Sequence, residues 1–121
     1  MSANIKINIT DNGTNTIQFF GYYYNNFSST ATNLAIKIMQ NCHKLNLVSD
    51  HYPESVALAA LQIMIRYYNL DFDTSKYIKL CNVSNIVVKK IYCKISPYID
   101  ALVDDDITNH LVKEFITHPK N

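Results

Sequence analysis

Apolar residues recur at helical spacing along the segment that follows Ser28. They are spaced to share one side of a helix: Ala31, Leu34, Ala35, Ile38, Cys42 and Leu45. This spacing is typical of an amphipathic helix that packs against a core. The hydroxyl groups of Ser28 and Ser29 are suited to capping its first turn. The pattern therefore predicts a long helix in this part of the chain.

The next segment begins at Pro53 and is apolar on almost every side. Between Val56 and Ile65 the only polar residue is Gln62. Proline is favoured in the first turn of a helix, and a helix without a polar face belongs in the middle of a bundle. We therefore expect a central, buried helix here.

Two further helices are predicted close together, over residues 73–81 and 84–96. The first ends at Asn82, a residue type that tolerates the left-handed backbone conformation. The second stops by Ser96, because Pro97 disfavours a helical conformation in the residue before it. Two helices joined by so short a turn have the shape of a helix-turn-helix pair.

The second helix of this pair has two contrasting sides. Its core-facing positions are Val88, Ile91, Tyr92 and Ile95. The opposite side carries Ile86, Lys89, Lys90, Cys93 and Lys94. An isoleucine among lysines is an unusual group to expose to water, so we interpret this side as a surface that meets a partner.

The two ends of the chain are predicted differently. A last helix is expected from Asp106, as its N-cap, with an apolar side formed by Ile107, Leu111, Phe115 and Ile116. Residues 1–26 leave two alternatives. Asn12-Gly13 after alternating isoleucines indicates a β-hairpin, whereas Ile17, Phe20 and Tyr24 form a helical stripe. The expected organisation is one all-α domain over residues 27–118, preceded by a short hairpin or a first helix.

The composition supports a single folded domain and reveals an uneven charge distribution. The chain has 121 residues, of which 48% are hydrophobic and 17% charged, and its net charge is +1. Residues 76–94 contain no acidic residue but hold Lys76, Lys79, Lys89, Lys90 and Lys94. Four aspartates lie within residues 100–106. The near-neutral total therefore conceals a basic centre and an acidic end.

Cysteine usage and hydropathy indicate a reducing, intracellular setting. The three cysteines cannot all pair and none forms a Cys-x-x-Cys motif. No leader and no apolar run long enough to span a membrane is present, so we expect a soluble chain without membrane contact.

Candidate catalytic and metal-binding groups do not assemble into a recognisable site. The histidines and cysteines lack metal-ligand spacing, and the run Asp104-Asp105-Asp106 lacks the spaced ligands of a calcium loop. Cys42 and His43 point to different sides of a helix, which suggests a buried thiol beside an exposed imidazole. We therefore predict no enzyme activity, no cofactor and no metal. The tyrosines at 22–24 are interpreted as packing rather than as a stacking platform for single strands.

Two segments resemble transcription factor IIB, most closely the second of its cyclin-like repeats. "PESVALAAL" (residues 53–61) is similar to the family's Pro-x-Ser-Val-Ala-Ala-Ala-Ala-Ile, and "NVSNIVVKKIY" (residues 82–92) to its Gly-Val-x-x-Val-Thr-Ile-Arg-x-x-Tyr. "KLNLVSDHYP", Pro97 and Leu102 extend the resemblance over residues 27–103. The resemblance implies a five-helix, cyclin-like bundle.

The resemblance also implies a function in transcription initiation. It predicts contact with double-stranded promoter DNA beside a TATA element, with the TATA-binding protein and with RNA polymerase, in a nucleus or at a viral replication site. Ile86 matches a base-contacting valine of the family and Lys89 an arginine. The other predicted DNA-binding residues face phosphates: Lys90, Lys94, Lys76 and Lys79.

Two departures from the family pattern weaken any inference about base preference, and a third weakens a phosphate contact. Lys89 lacks the planar fork with which arginine reads guanine, Val87 replaces a threonine, and His51 replaces an arginine before Pro53. The alternative hypothesis is a cyclin-like protein-interaction module without DNA contact, in which the lysines are merely solvated.

The exposure of Ile86 distinguishes these two hypotheses. Burial of Ile86 against Tyr77 or Leu80 would remove the centre of a groove-facing surface. Under the protein-interaction hypothesis, the partner would use the small side chains of Ala57 and Ala60 or the tyrosine cluster.

Overall fold

The chain folds into helices joined by short turns. The computed structural model describes residue 17 and residues 27–117, with side chains as far as residue 113. The helices are α1 (Ser29–Lys44), α2 (Pro53–Tyr67), α3 (Ser75–Leu80), α4 (Asn85–Ile95), the single turn α5 (Ile99–Leu102) and α6 (Asp105–Thr117). A 3₁₀ turn at Ser96–Tyr98 joins α4 to α5. Five of the described helices have six residues or more and no described residue is in a strand, which confirms the all-α prediction.

The N-terminal segment lies outside this description apart from one residue. Ile17 is helical and fully buried. The choice between a hairpin and a helix for residues 1–26, and the tyrosines at 22–24, otherwise lie outside the described residues.

Helix starts follow the capping chemistry of the sequence, with one correction. Ser28 Oγ accepts a hydrogen bond from Ala31 N at 3.1 Å, and Pro53 is the first residue of α2. The last helix begins at Asp105, so the prediction of Asp106 as its N-cap is wrong. Asp104 Oδ1 accepts the hydrogen bond from Asp106 N at 2.9 Å, because only the first aspartate of the run precedes the helix.

Three helices end in the same way, on an asparagine in the left-handed conformation. The φ angles of Asn46, Asn69 and Asn82 are 56°, 54° and 55°. At each site the asparagine N–H and the N–H that follows it donate to carbonyls of the last helical turn, as in the Schellman motif. Asparagine therefore takes the place that glycine usually holds in a chain with only two glycines.

Helix α2 is the centre of the core, as predicted. It packs against α1 and α4, and every residue from Val56 to Leu61 is inaccessible to solvent. Ala57 and Ala60 are therefore covered by the chain itself, so the expectation that they offer a partner surface is wrong. Small side chains here serve close packing between helices.

Polar contacts fix α5 and α6 against α1. Asn41 is buried, and its Nδ2 donates to Leu102 O at 2.9 Å and to Asp105 Oδ1 at 3.1 Å. Thr108 Oγ1 donates to the carbonyl of Ala101, and Thr108 is fully buried. These bonds satisfy Asn41 Nδ2 and Thr108 Oγ1, whereas Asn41 Oδ1 is buried without a partner among the described residues.

The buried face of α6 differs from the predicted one. Ile107 is 42% exposed, and Thr108 occupies the inward position instead because its hydroxyl bonds to α5. Leu111 is half-buried. The side chains of Phe115 and Ile116 lie outside the described residues.

The adjacent residues Cys42 and His43 belong to α1, and neither is exposed. Cys42 is fully buried, and burial raises its pKa to about 12. His43 is half-buried, and burial lowers its pKa below the usual value. The expected exposed imidazole is therefore wrong, because His43 Nε2 is covered and has no partner among the described residues.

Candidate nucleic-acid interface

Helices α3 and α4 follow one another across a short turn, as the sequence predicts for a helix-turn-helix pair. Residues 81–84 separate the two helices. Within this turn, Asn82 N donates to Lys79 O at 3.1 Å and Val83 N donates to Ile78 O at 3.3 Å. The left-handed conformation of Asn82 permits both bonds and reverses the chain between the helices.

An aromatic cluster anchors α3 to the body of the protein. Tyr77 is 1% exposed, and its ring centroid lies 5.6 Å from that of Phe72 and 6.4 Å from that of Phe27. Gln62 Nε2 also donates to Thr74 Oγ1 at 3.0 Å, which ties the start of α3 to α2. Because Tyr77 points into the protein, the exposed residues of α3 lie on the opposite side of this helix.

Helix α4 is fixed about its own axis by its apolar side. Val88, Ile91 and Ile95 are fully buried, as predicted. Tyr92 is half-buried, and its hydroxyl accepts a hydrogen bond from Arg66 Nη1 of α2 at 3.1 Å. The buried stripe and this bond together determine which residues of α4 point outward.

The outward residues of α4 form a surface that we call the lysine face. Its members are Ile86, Lys89, Lys90, Cys93 and Lys94, and all five are exposed. Ile86 is 80% exposed, more than any other large hydrophobic residue described. It is therefore not buried against Tyr77 or Leu80, and the centre of a groove-facing surface is preserved.

The lysines of the lysine face make no ion pair within 4 Å with a described carboxylate. The ion pair found among the residues that the structure describes joins Lys37 Nζ to Asp105 Oδ2 at 3.8 Å, and it lies away from α4. Lys76 and Lys79 are exposed on α3. The positive charges of Lys79, Lys89, Lys90 and Lys94 therefore lie at the surface of the two helices, where an anionic partner can reach them.

His51 joins the lysine face from a distant part of the chain. Its Nε2 lies 3.2 Å from Lys94 Nζ. The pKa of His51 is lowered by burial and then by the positive charges of Lys94 and Lys90, while Asp50 opposes the shift. From the sequence His51 is recognisable only as the replacement of a family arginine, because helical spacing cannot relate residues 43 positions apart.

The described residues do not provide a metal site or a membrane-spanning helix. They contain no group of three or more histidines, cysteines, aspartates or glutamates placed to hold a metal ion. None of their helices has the length and apolar character needed to cross a membrane. Cys42, Cys81 and Cys93 are all free thiols.

The fold and this surface define an all-helical domain that exposes a basic helix-turn-helix-like pair. Over 83 residues the chain is 42% identical to a transcription initiation factor IIB-like protein of Acanthamoeba polyphaga mimivirus. The match covers 69% of this chain and 18% of the relative, so the chain spans about a fifth of the relative's length. No family model and no solved structure matches the chain.

The chain is therefore a homologue of a transcription factor IIB-like protein. This relationship agrees with the resemblance in residues 53–61 and 82–92 and confirms it. The relative is named as a transcription initiation factor and not as an enzyme, in agreement with the prediction of no catalytic activity.

Proposed function

We propose that the chain is a promoter-DNA-binding module that acts in transcription initiation. Helix α4 enters the major groove near a TATA element, with Ile86 toward the base edges and the lysines toward phosphates. The observation that supports this proposal is the 80% exposure of Ile86 on the same side of α4 as Lys89, Lys90 and Lys94, which make no ion pair within 4 Å among the described residues. An exposed isoleucine costs free energy in water, and contact with a thymine methyl group would recover part of it.

The charges on α3 and α4 limit how tightly the module binds alone. Five lysines contact at most about five phosphates, which corresponds to a slope of roughly −4 to −5 in log affinity against log salt concentration. One helix-turn-helix buries only about 600–1,000 Å² of protein surface. Useful affinity therefore requires a partner, and we propose the TATA-binding protein or RNA polymerase for this role.

An exposed aromatic surface at the end of α2 supports a protein partner. Tyr67, Tyr68 and Leu70 are 51%, 40% and 42% exposed, and the two tyrosine rings meet edge to face at 5.3 Å. Clustered exposed apolar residues favour protein contact. This surface gives the protein-interaction hypothesis a physical basis, and it is compatible with DNA binding by α4.

Fluorescence anisotropy of a TATA-containing duplex across a salt series tests the proposal. The informative variant is Lys89→Glu/Lys90→Glu, which reverses two charges at the centre of the lysine face. The control variant Lys44→Glu/Lys113→Glu has the same net charge but changes exposed residues of α1 and α6. Circular dichroism of each variant verifies that the helices are retained.

The proposal predicts salt-sensitive binding by the parent and the control. Loss of two phosphate contacts should make the slope of the informative variant shallower by about 2. If the parent does not bind at low salt, or if both variants bind equally, then DNA binding by the lysine face is wrong and the protein-interaction hypothesis is favoured.

A further inference from the structure

The first residue of α4 carries a polar group that the fold leaves unused. Asn85 is exposed, and its carboxamide makes no hydrogen bond to another described residue. Capping of the helix is performed by Ser84, whose Oγ accepts from Val87 N at 3.4 Å. The amide of Asn85 is therefore available to a ligand.

The position of Asn85 suits contact with DNA bases. Successive residues of a helix are about 100° apart, so Lys89 lies about 40° from Asn85 and about 60° from Ile86, between the two around the helix axis. Side chains tilt toward the N-terminus of their helix. In a helix-turn-helix, the N-terminal residues of the second helix are those that contact base edges.

The chemistry of this first turn matches one kind of base pair. A carboxamide offers one donor and one acceptor, which complement adenine N7 and N6, whereas guanine presents two acceptors at the same edge. Ile86 complements the thymine methyl group. Residues 85–95 contain no carboxylate that could accept from the cytosine amine. We propose that Asn85 and Ile86 make the module prefer an A·T base pair in the major groove.

This inference rests on the proposed function and adds a base preference to it. A good bidentate contact discriminates against the wrong base by between about 5-fold and about 150-fold. Lys89, with donors only, is free to contact a phosphate or a guanine beside the A·T pair. Asn85 is therefore the specificity-determining residue, and the lysines supply affinity for any sequence.

Selection from duplexes randomised over one helical turn, followed by base-analogue substitution, tests the preference. The full chain is compared with Asn85→Ala and Ile86→Ala, and with Asn109→Ala as a control that removes an exposed amide from α6. Selected duplexes are then made with 7-deazaadenine, which lacks the N7 acceptor, or with deoxyuridine, which lacks the thymine methyl. Binding is measured by anisotropy at one salt concentration.

We expect the parent and the control to select an A·T pair. In those proteins, 7-deazaadenine should weaken binding by about 5-fold or more, but it should have no effect on Asn85→Ala. Deoxyuridine should weaken the parent but not Ile86→Ala.

Three other results would overturn the inference, and they show whether the proposed function fails with it. If the parent binds the pool in a salt-sensitive manner without selecting an A·T pair, or if Asn85→Ala retains the selection, then the base preference is wrong and the proposed function stands. If the parent binds no duplex at low salt, both are wrong.

Discussion

Replacement of Asn82 by alanine should destabilise the protein by an amount that the turn geometry predicts. Asn82 has φ = 55° and lies between the two helices of the candidate interface. A residue with a Cβ atom pays about 1–2 kcal/mol to adopt the left-handed conformation, and asparagine avoids part of this cost through local hydrogen bonds of its side chain. Asn82→Ala should therefore lower the free energy of unfolding by about 1 kcal/mol.

The backbone hydrogen bonds of the turn do not add to this cost. The donors are the backbone N–H groups of Asn82 and Val83, and both remain when Asn82 is replaced by alanine. Asn82→Gly should be close to neutral, because relief of strain in the folded state is offset by the greater entropy of the unfolded chain, which is worth about 0.5–1 kcal/mol.

The same chemical change at a helical position provides the matched control. Asn33 is exposed within α1, where alanine is a better helix former than asparagine by roughly 0.5 kcal/mol. Asn33→Ala should therefore stabilise the protein, whereas Asn82→Ala destabilises it. Asn46→Ala and Asn69→Ala should resemble Asn82→Ala, since their φ angles are nearly the same.

Equilibrium unfolding in urea measures these free energies directly. The explanation is refuted if Asn82→Ala is as stable as the parent, or if Asn33→Ala loses as much stability as Asn82→Ala. Either result would mean that the left-handed conformation is not what selects asparagine in the turn.

Further predictions concern the polar contacts of the core and the charge of the interface. Asn41→Ala removes a buried donor that joins α1 to α5 and α6, so the free energy of unfolding measured in urea should fall by about 1–3 kcal/mol. Asn109→Ala, at an exposed helical position like Asn33, should not lower it. The pKa of His51 is lowered from 6.5 by burial and by Lys94, so the unfolded chain takes up this proton first and stability should decline as pH falls below about 6.5. Urea unfolding at several pH values should show a smaller decline for His51→Gln than for the parent, and equal declines would contradict this.

The buried faces of α1, α2 and α4 were predictable because apolar spacing encodes them directly. A helix as apolar as α2 has to be surrounded by other helices, so its position at the centre of the bundle follows from the sequence. The division of α4 into a buried stripe and a lysine face follows from the 3.6-residue period, and the structure reproduces it residue by residue. Asn82 was predictable as the end of a helix because one helical pattern stops before it and another begins after it.

Features that depend on tertiary contacts could not be derived from local patterns. The approach of His51 to Lys94 requires the loop before α2 to reach α4, and no periodicity records it. Thr108 replaces Ile107 at the inward position because its hydroxyl finds a carbonyl on α5, which is visible only in the folded chain. Three consecutive aspartates are equally good caps in the sequence, and only the position of α6 selects the first.

Alkylation of Cys93 in the presence of DNA tests the central claim most directly. Cys93 is exposed on the lysine face, whereas burial raises the pKa of Cys42 to about 12 and that of Cys81 to about 11. Near neutral pH, iodoacetamide should therefore modify Cys93 first, because the thiolate is the reactive form. Peptide mass spectrometry measures its rate of modification.

A saturating TATA-containing duplex at low salt should slow the modification of Cys93, and high salt should restore the original rate. If anisotropy shows the duplex bound while Cys93 reacts as fast as in the free protein, DNA does not cover the lysine face, and the proposed role of α4 is contradicted.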